Sequence, residues 1–218
     1  MANRLLELEK ALEGKRGLKA TALMNRPFTR MSYARSVTLP AGTLERTKRF
    51  EGAITHMYLD TVGKVTVGVG RMLPDAAAAQ KIAFVRNADS AAASQQEIAD
   101  EFAAIKAKEA GKVASVYKAS TTLHVTAATI DALLTDDLTN VVTGLQSKFP
   151  DYASYPENVQ GALIDMAFNL GLHGLMTKFP TFVGLIKKKD FKGAAAESRR
   201  NGISDDRNSE IAKLLTSA

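Results

Sequence analysis

The second half of the chain follows a helical pattern of hydrophobic positions. From Thr126, a residue suited to cap a helix, apolar side chains recur every three or four positions to about Ser147, which predicts one long helix. A second helix is predicted from Tyr155, and its nearly continuous apolar surface favours the centre of a helical bundle. Three shorter helices are predicted after it, at residues 182–188, 191–200 and 208–215.

Between residues 50 and 73 the pattern changes to that of a β-hairpin. A helix from Thr43 is predicted to end at Glu51, because the following glycine readily takes the left-handed backbone of a helix C-terminus. Aromatic and β-branched strand formers follow from Met57, and turn formers at 60–63 separate two strands. The sequence therefore predicts an α+β fold that is mainly helical, with one small hairpin sheet.

An N-terminal arm, residues 1–42, precedes this pattern. It combines a short amphipathic helix at 4–13 with a basic stretch in which glycine and proline interrupt any period. The arm is a docking or trafficking segment, a positively charged patch that contacts a cell-wall polymer, or a solvated extension of the body. We expect it to be dispensable for the chemistry described below.

A second segment, residues 75–122, is called the insert here. It contains a weak helix candidate at 76–85 and a stronger one from Ser94 to about Gly111, because Ser94 and Glu97 have the spacing of a capping box. Two interpretations stay open, a wall of a binding groove or a helical elaboration of the region around the hairpin.

Composition narrows the possible chemistry. The 218 residues include no cysteine and only three widely separated histidines, so we predict no catalytic metal. The net charge of +6 predicts attraction to polyanions such as nucleic acid, anionic lipid or the acidic polymers of bacterial cell wall. No apolar run is long enough to span a membrane. Two acidic residues occur among the first ten, where a signal peptide needs an apolar core.

Two acids and a threonine lie in the helix and hairpin segment. Eight residues separate Glu51 from Asp60, and five separate Asp60 from Thr66. Singly, they are a charge at a helix end, a turn former and a strand former. Together they supply what cleavage of a glycosidic bond needs, namely a proton donor, an anion and a hydroxyl that can hold a water. A partly desolvated pocket would raise the pKa of Glu51, and we expect Asp60, on a hydrophilic hairpin, to be ionised.

This spacing, followed by Val67-Gly68-Val69-Gly70, resembles the E-x8-D-x5-T motif of the phage-type (T-even phage) lysozymes, glycoside hydrolase family 24. Weaker similarity continues from Val125 to about Leu215. The resemblance implies a lysozyme-like fold with two lobes joined by the long helix. In this chain the small lobe spans about 43–125, including the insert, and the large helical lobe spans about 126–218.

The same resemblance implies an activity. A family member is a muramidase, which hydrolyses the bond between N-acetylmuramic acid and N-acetylglucosamine in peptidoglycan without a cofactor. The catalytic residues would be Glu51 as the general acid and Asp60 and Thr66 as the groups that hold the attacking water.

Four further residues are assigned by the resemblance. Arg71 stands where many family members have histidine and Asp137 where the family has a carboxylate, so we expect an ion pair between hairpin and long helix. Asn169 is the candidate for a hydrogen bond to a sugar amide, and Arg207 matches the family arginine that approaches the catalytic glutamate. We predict Asn169 and Arg207 as substrate-binding residues. The alternatives are a helix cap for Asn169 and unrelated surface charges for the others.

Two other functions remain open. A lytic transglycosylase needs one acid and no attacking water. A non-catalytic wall-binding module of a virion or secretion apparatus needs neither an acid nor a water. The presence of all three motif residues favours the hydrolase.

The predicted partner is bacterial peptidoglycan, with no nucleic acid and no membrane span, and we predict a monomer. Lacking a signal peptide, the protein would be made in the cytoplasm. It would reach the periplasm or wall as a phage endolysin released by a holin, as a phage tail enzyme or as an exported antibacterial effector. An effector would require an immunity protein.

Overall fold

In the computed structural model, which describes residues 37–217, a helix leads into a three-stranded sheet. Helix α1 ends at Gly52, whose φ of 78° suits glycine and whose N–H donates to the carbonyl of Lys48. The antiparallel strands lie in the order β1, β2, β3. The bounds are Thr43–Glu51 for α1, Ile54–Leu59 for β1, Val65–Gly68 for β2 and Arg71–Leu73 for β3.

The insert consists of short helices and strands. The helix predicted from residue 76 ends at Ala79, because Phe84 and its neighbours pair with a strand near Val125 instead. The stronger helix begins with the predicted capping box of Ser94 and Glu97 but ends at Lys106. The helices and strands from the start of the insert to the long helix are α2 (Ala76–Ala79), β4 (Phe84–Arg86), α3 (Gln95–Lys106), α4 (Ala114–Tyr117) and β5 (Leu123–Val125).

Glu101 fastens α3 to β5. Its Oε2 accepts hydrogen bonds from the backbone N–H of Thr122 at 2.6 Å, from the Thr122 hydroxyl at 3.0 Å and from the N–H of Leu123 at 3.0 Å. Burial raises the pKa of Glu101, although these bonds act in the opposite direction. Because α3 also packs against β1 and β2, the insert is attached firmly to the hairpin sheet.

The second half of the described chain is helical. Thr126 caps the long helix α5 by accepting a hydrogen bond from the N–H of Thr129. Helix α6 is interrupted at Gly171, where φ is 69°, and packs against α5 and α9. The fold is α+β and mainly helical, as predicted. The bounds are Ala127–Lys148 for α5, Glu157–Lys178 for α6, Pro180–Lys187 for α7, Phe191–Ala196 for α8 and Asp205–Thr216 for α9.

Most of the predicted N-terminal arm, including the helix at 4–13, lies outside the described residues. The boundary between the arm and the small lobe at residue 43 stays a prediction, and Val37 and Leu39, just before it, already pack against the core. Within residues 37–217, no helix is both long and apolar enough to cross a membrane.

Candidate active site

Glu51 is the last residue of α1, where its carboxyl group meets a side chain from α9. The Nη1 atom of Arg207 lies 2.7 Å from Oε1 of Glu51, and the Glu51 side chain is 28% exposed. The guanidinium of Arg207 also lies over the ring of Phe50, 5.1 Å from its centre. The surroundings of Glu51 thus differ from the desolvated pocket we expected, because the carboxyl group is paired with a cation and partly open to solvent.

Arg207 belongs to a buried cluster of charges. Its Nε and Nη2 each lie 3.0 Å from Oδ2 of Asp165 on α6, and Arg200 Nη2 lies 2.8 Å from the other Asp165 oxygen. Burial lowers the pKa of Arg200. Burial also acts to lower the pKa of Arg207, but the bonds to Asp165 and Glu51 leave it raised. One carboxylate therefore holds two guanidinium groups, and one of these holds Glu51.

Both predicted substrate-binding residues are partners of this cluster. The side-chain oxygen of Asn169 accepts a hydrogen bond from Arg200 at 3.2 Å, which leaves its amide nitrogen for a ligand. Arg207 is 4% exposed and contacts protein groups. Both side chains are held by protein groups of this cluster, and contact with a sugar stays a prediction for both.

The turn between β1 and β2 holds Asp60 by backbone and side chain. Its Oδ1 accepts hydrogen bonds from the N–H of Val62 at 3.0 Å and of Lys64 at 2.7 Å, while its own N–H donates to the Lys64 carbonyl. These bonds fix the carboxylate without using Oδ2, so within residues 37–217 the second oxygen is left to accept a hydrogen from water or substrate.

Thr66 lies in β2, two residues beyond Lys64. It is buried, and its hydroxyl donates to the Lys64 carbonyl at 3.1 Å. Because its only hydrogen is used in this bond, the Thr66 oxygen can offer a further partner only its lone pairs. The backbone of Lys64 thus binds both Asp60 and Thr66 and sets their relative position.

The structure brings Arg71 of β3 together with the acids of α5. Arg71 Nη1 lies 3.0 Å from Oδ1 of Asp137, and Nη2 lies 3.8 Å from Oδ2 of Asp136. Burial raises the pKa of Asp137, Arg71 lowers it, Asp136 raises it, and the net change is upward. The geometry is that of an ion pair, but desolvation opposes the charged form of the acid, so we expect its net stabilisation to be modest.

A double-mutant cycle of Arg71→Ala and Asp137→Ala is expected to give a coupling free energy of about 1 kcal/mol by chemical denaturation. Contact at 3.0 Å favours the pair, and partial burial of Asp137 limits the gain. The control is a cycle with Asp136→Ala, whose acid is 73% exposed and should couple weakly. Strict additivity for Asp137 would mean that the two side chains do not interact in solution.

A cavity of about 550 Å³ lies between the sheet, α5 and α6. Its lining includes the Arg71–Asp137 pair and the apolar side chains of Met72 and Phe168, and it suits a ligand with both apolar and polar faces. Glu51, Asp60 and Thr66 are not among its lining residues. In the described part of the chain, no three histidine or acidic side chains are grouped to hold a metal ion.

Sequence reasoning missed Asp165 and Arg200. Asp165 gave a signal, because it is a lone acid inside the apolar run from Leu163 to Ala167, and a charge on a buried face needs a partner. Arg200 gave no such signal, because it stands among polar residues and becomes buried only when α6 and α9 pack together.

Comparison with known proteins gives a family match and structural matches. Residues 108–211 match the family described as Phage lysozyme, a range that includes Asp165 and Arg207 but not the motif residues 51–66. A crystal structure of a P22 lysozyme mutant resembles this chain with a TM-score of 0.51 and 18% identity, covering 83% of this chain and 99% of the other. No curated protein sequence matches. The fold is therefore lysozyme-like.

Proposed function

We propose that the protein is a peptidoglycan-hydrolysing lysozyme, a muramidase of glycoside hydrolase family 24 that acts between N-acetylmuramic acid and N-acetylglucosamine. The observation that carries the proposal is the occurrence of the motif on a lysozyme-like fold, with Glu51 at a helix end and with Asp60 and Thr66 both bonded to the backbone of Lys64. The match of residues 108–211 to phage lysozymes supports it from another part of the chain.

In the proposed reaction, Glu51 donates a proton to the leaving glycosidic oxygen as the bond to the anomeric carbon breaks. Arg207 holds the Glu51 carboxyl group, and Asp165 in turn holds Arg207. The acid is therefore positioned by packing between α1, α6 and α9 instead of by a flexible surface.

The attacking water is held by two acceptors. Asp60 offers Oδ2, and Thr66 offers only lone pairs because its hydrogen is bound to the Lys64 carbonyl. A water between them would donate one hydrogen to each and direct a lone pair at the anomeric carbon. As the new carbon–oxygen bond forms, the water proton passes to Asp60. Attack from the face opposite the leaving group inverts the anomeric configuration.

Product stereochemistry tests this mechanism. From a defined wall oligosaccharide, we expect the α-anomer to be released first. Asp60→Asn should lower turnover by about a hundredfold or more and Thr66→Ala by roughly tenfold. Thr61→Ala, in the exposed part of the same turn, is the matched control and should be silent. Initial release of the β-anomer would recast Asp60 as a nucleophile.

The same assay separates the competing functions. A lytic transglycosylase would release a cyclised sugar end with no free reducing group, and a wall-binding module would release nothing. We propose peptidoglycan as the substrate and a monomer as the working form. Delivery as an endolysin, a tail enzyme or an exported effector with an immunity protein stays a prediction, which the genomic neighbourhood would decide.

A further inference from the structure

The insert makes a polar contact with the hairpin next to Asp60. Lys106, the last residue of α3, donates from Nζ to the carbonyl oxygen of Gly63 at 2.7 Å. Ala110 lies close by, since a side-chain carbon at Gly63 would be 3.4 Å from its Cβ. The tip of the hairpin therefore rests against the insert instead of projecting freely into solvent.

The peptide group that Lys106 binds is the same one that binds Asp60. The Gly63 carbonyl accepts from Lys106, and the Lys64 N–H of that peptide unit donates to Asp60 Oδ1 at 2.7 Å. Because a peptide group is planar, fixing the direction of its oxygen also fixes the direction of its N–H. A cationic donor at the oxygen also polarises the group and strengthens the bond made by its nitrogen.

Helix α3 is itself well anchored, so Lys106 starts from a fixed point. The capping box of Ser94 and Glu97 closes the beginning of the helix, and Glu101 binds the backbone at the start of β5 through three hydrogen bonds. The side chain of Lys106 extends from the end of this helix to the turn between β1 and β2.

We propose that Lys106 is a positioning residue for hydrolysis, which holds the Asp60 carboxylate through the Gly63–Lys64 peptide. This inference rests on the proposed role of Asp60. Because Lys106 acts through the Asp60 carboxylate and not on the substrate, its contribution should appear in turnover and not in substrate affinity. The insert then supports the hairpin, a role distinct from the two alternatives considered from the sequence.

The test compares Lys106→Met with Lys106→Arg, which keeps a cationic donor, and with Lys108→Met, a matched change at a nearby exposed lysine. On a defined wall oligosaccharide, Lys106→Met should lower kcat by roughly tenfold with KM changed less than about twofold. Lys106→Arg should restore much of the loss, and Lys108→Met should behave as the unmodified protein. Of the three variants, only Lys106→Met should show hydrogen exchange of the Lys64 amide, measured by NMR, that is severalfold faster than in the unmodified protein.

Unchanged kcat or unchanged Lys64 exchange in Lys106→Met would overturn the inference. Adding Lys106→Met to Asp60→Asn should cost no further activity, because the lysine acts through that carboxylate, and full additivity of the two losses would also overturn it. If Asp60→Asn alone kept normal turnover, the proposed function of Asp60 would fail. The exchange rate would then still decide whether Lys106 holds the turn.

Discussion

Replacing Glu51 with glutamine is expected to abolish hydrolysis of purified sacculi, with turnover reduced by about a thousandfold or more. Glutamine has nearly the same shape but no proton to transfer to the leaving oxygen. Its side-chain oxygen can still accept the hydrogen bond that Arg207 makes to Glu51 at 2.7 Å, so the buried cluster should keep its arrangement. We therefore expect a folded and inactive protein.

Circular dichroism and the denaturation midpoint would check that the Glu51→Gln protein is folded. Glu45→Gln is the control, because Glu45 is an exposed acid on the same helix and should be silent in the assay. A Glu51→Gln variant with more than about a tenth of normal turnover would exclude Glu51 as the acid, since general acid catalysis contributes at least about a hundredfold.

Local signals in the sequence were enough to predict much of the fold. Thr126 and Ser94 begin helices where predicted, because a cap is made by residues three positions apart. Gly52 ends α1 for a similarly local reason, and this places Glu51 at the helix end. The turn at Asp60 could be predicted because the same few residues make its hydrogen bonds.

Features that depend on contacts between residues far apart in the sequence could not be predicted. Strands β4 and β5 have three residues each and become strands only because Phe84 meets Val125 across the insert. The helix predicted at 76–85 ends at Ala79 for this reason, so only its predicted length is wrong. Lys106 looks like any solvated lysine at a helix end, and only the folded chain places it on Gly63. The surroundings of Glu51 depend in the same way on Arg207, far along the chain.

The largest effect on stability is expected at Asp165. The side chains of Asp165, Arg200 and Arg207 are at most 5% exposed, and the two guanidinium groups share one carboxylate. Asp165→Asn keeps the size of the side chain but removes the charge, and its amide hydrogens would face two donors. Leaving buried charges without their partner costs about 3–5 kcal/mol, so we expect a loss of that order in the free energy of unfolding.

Chemical denaturation would measure this loss. Asp205→Asn is the matched control. The pair of Asp205 with Arg199 is exposed, so this substitution should leave the denaturation midpoint almost unchanged.

A second substitution distinguishes the loss of charge balance from the loss of packing. Adding Arg200→Met removes one of the two cations and should recover part of the stability lost in Asp165→Asn, so the double variant should be more stable than the sum of the single changes predicts. A loss below about 1 kcal/mol for Asp165→Asn would mean that the carboxylate does not hold the two arginines in solution. The fixed position of Glu51 would then need another cause.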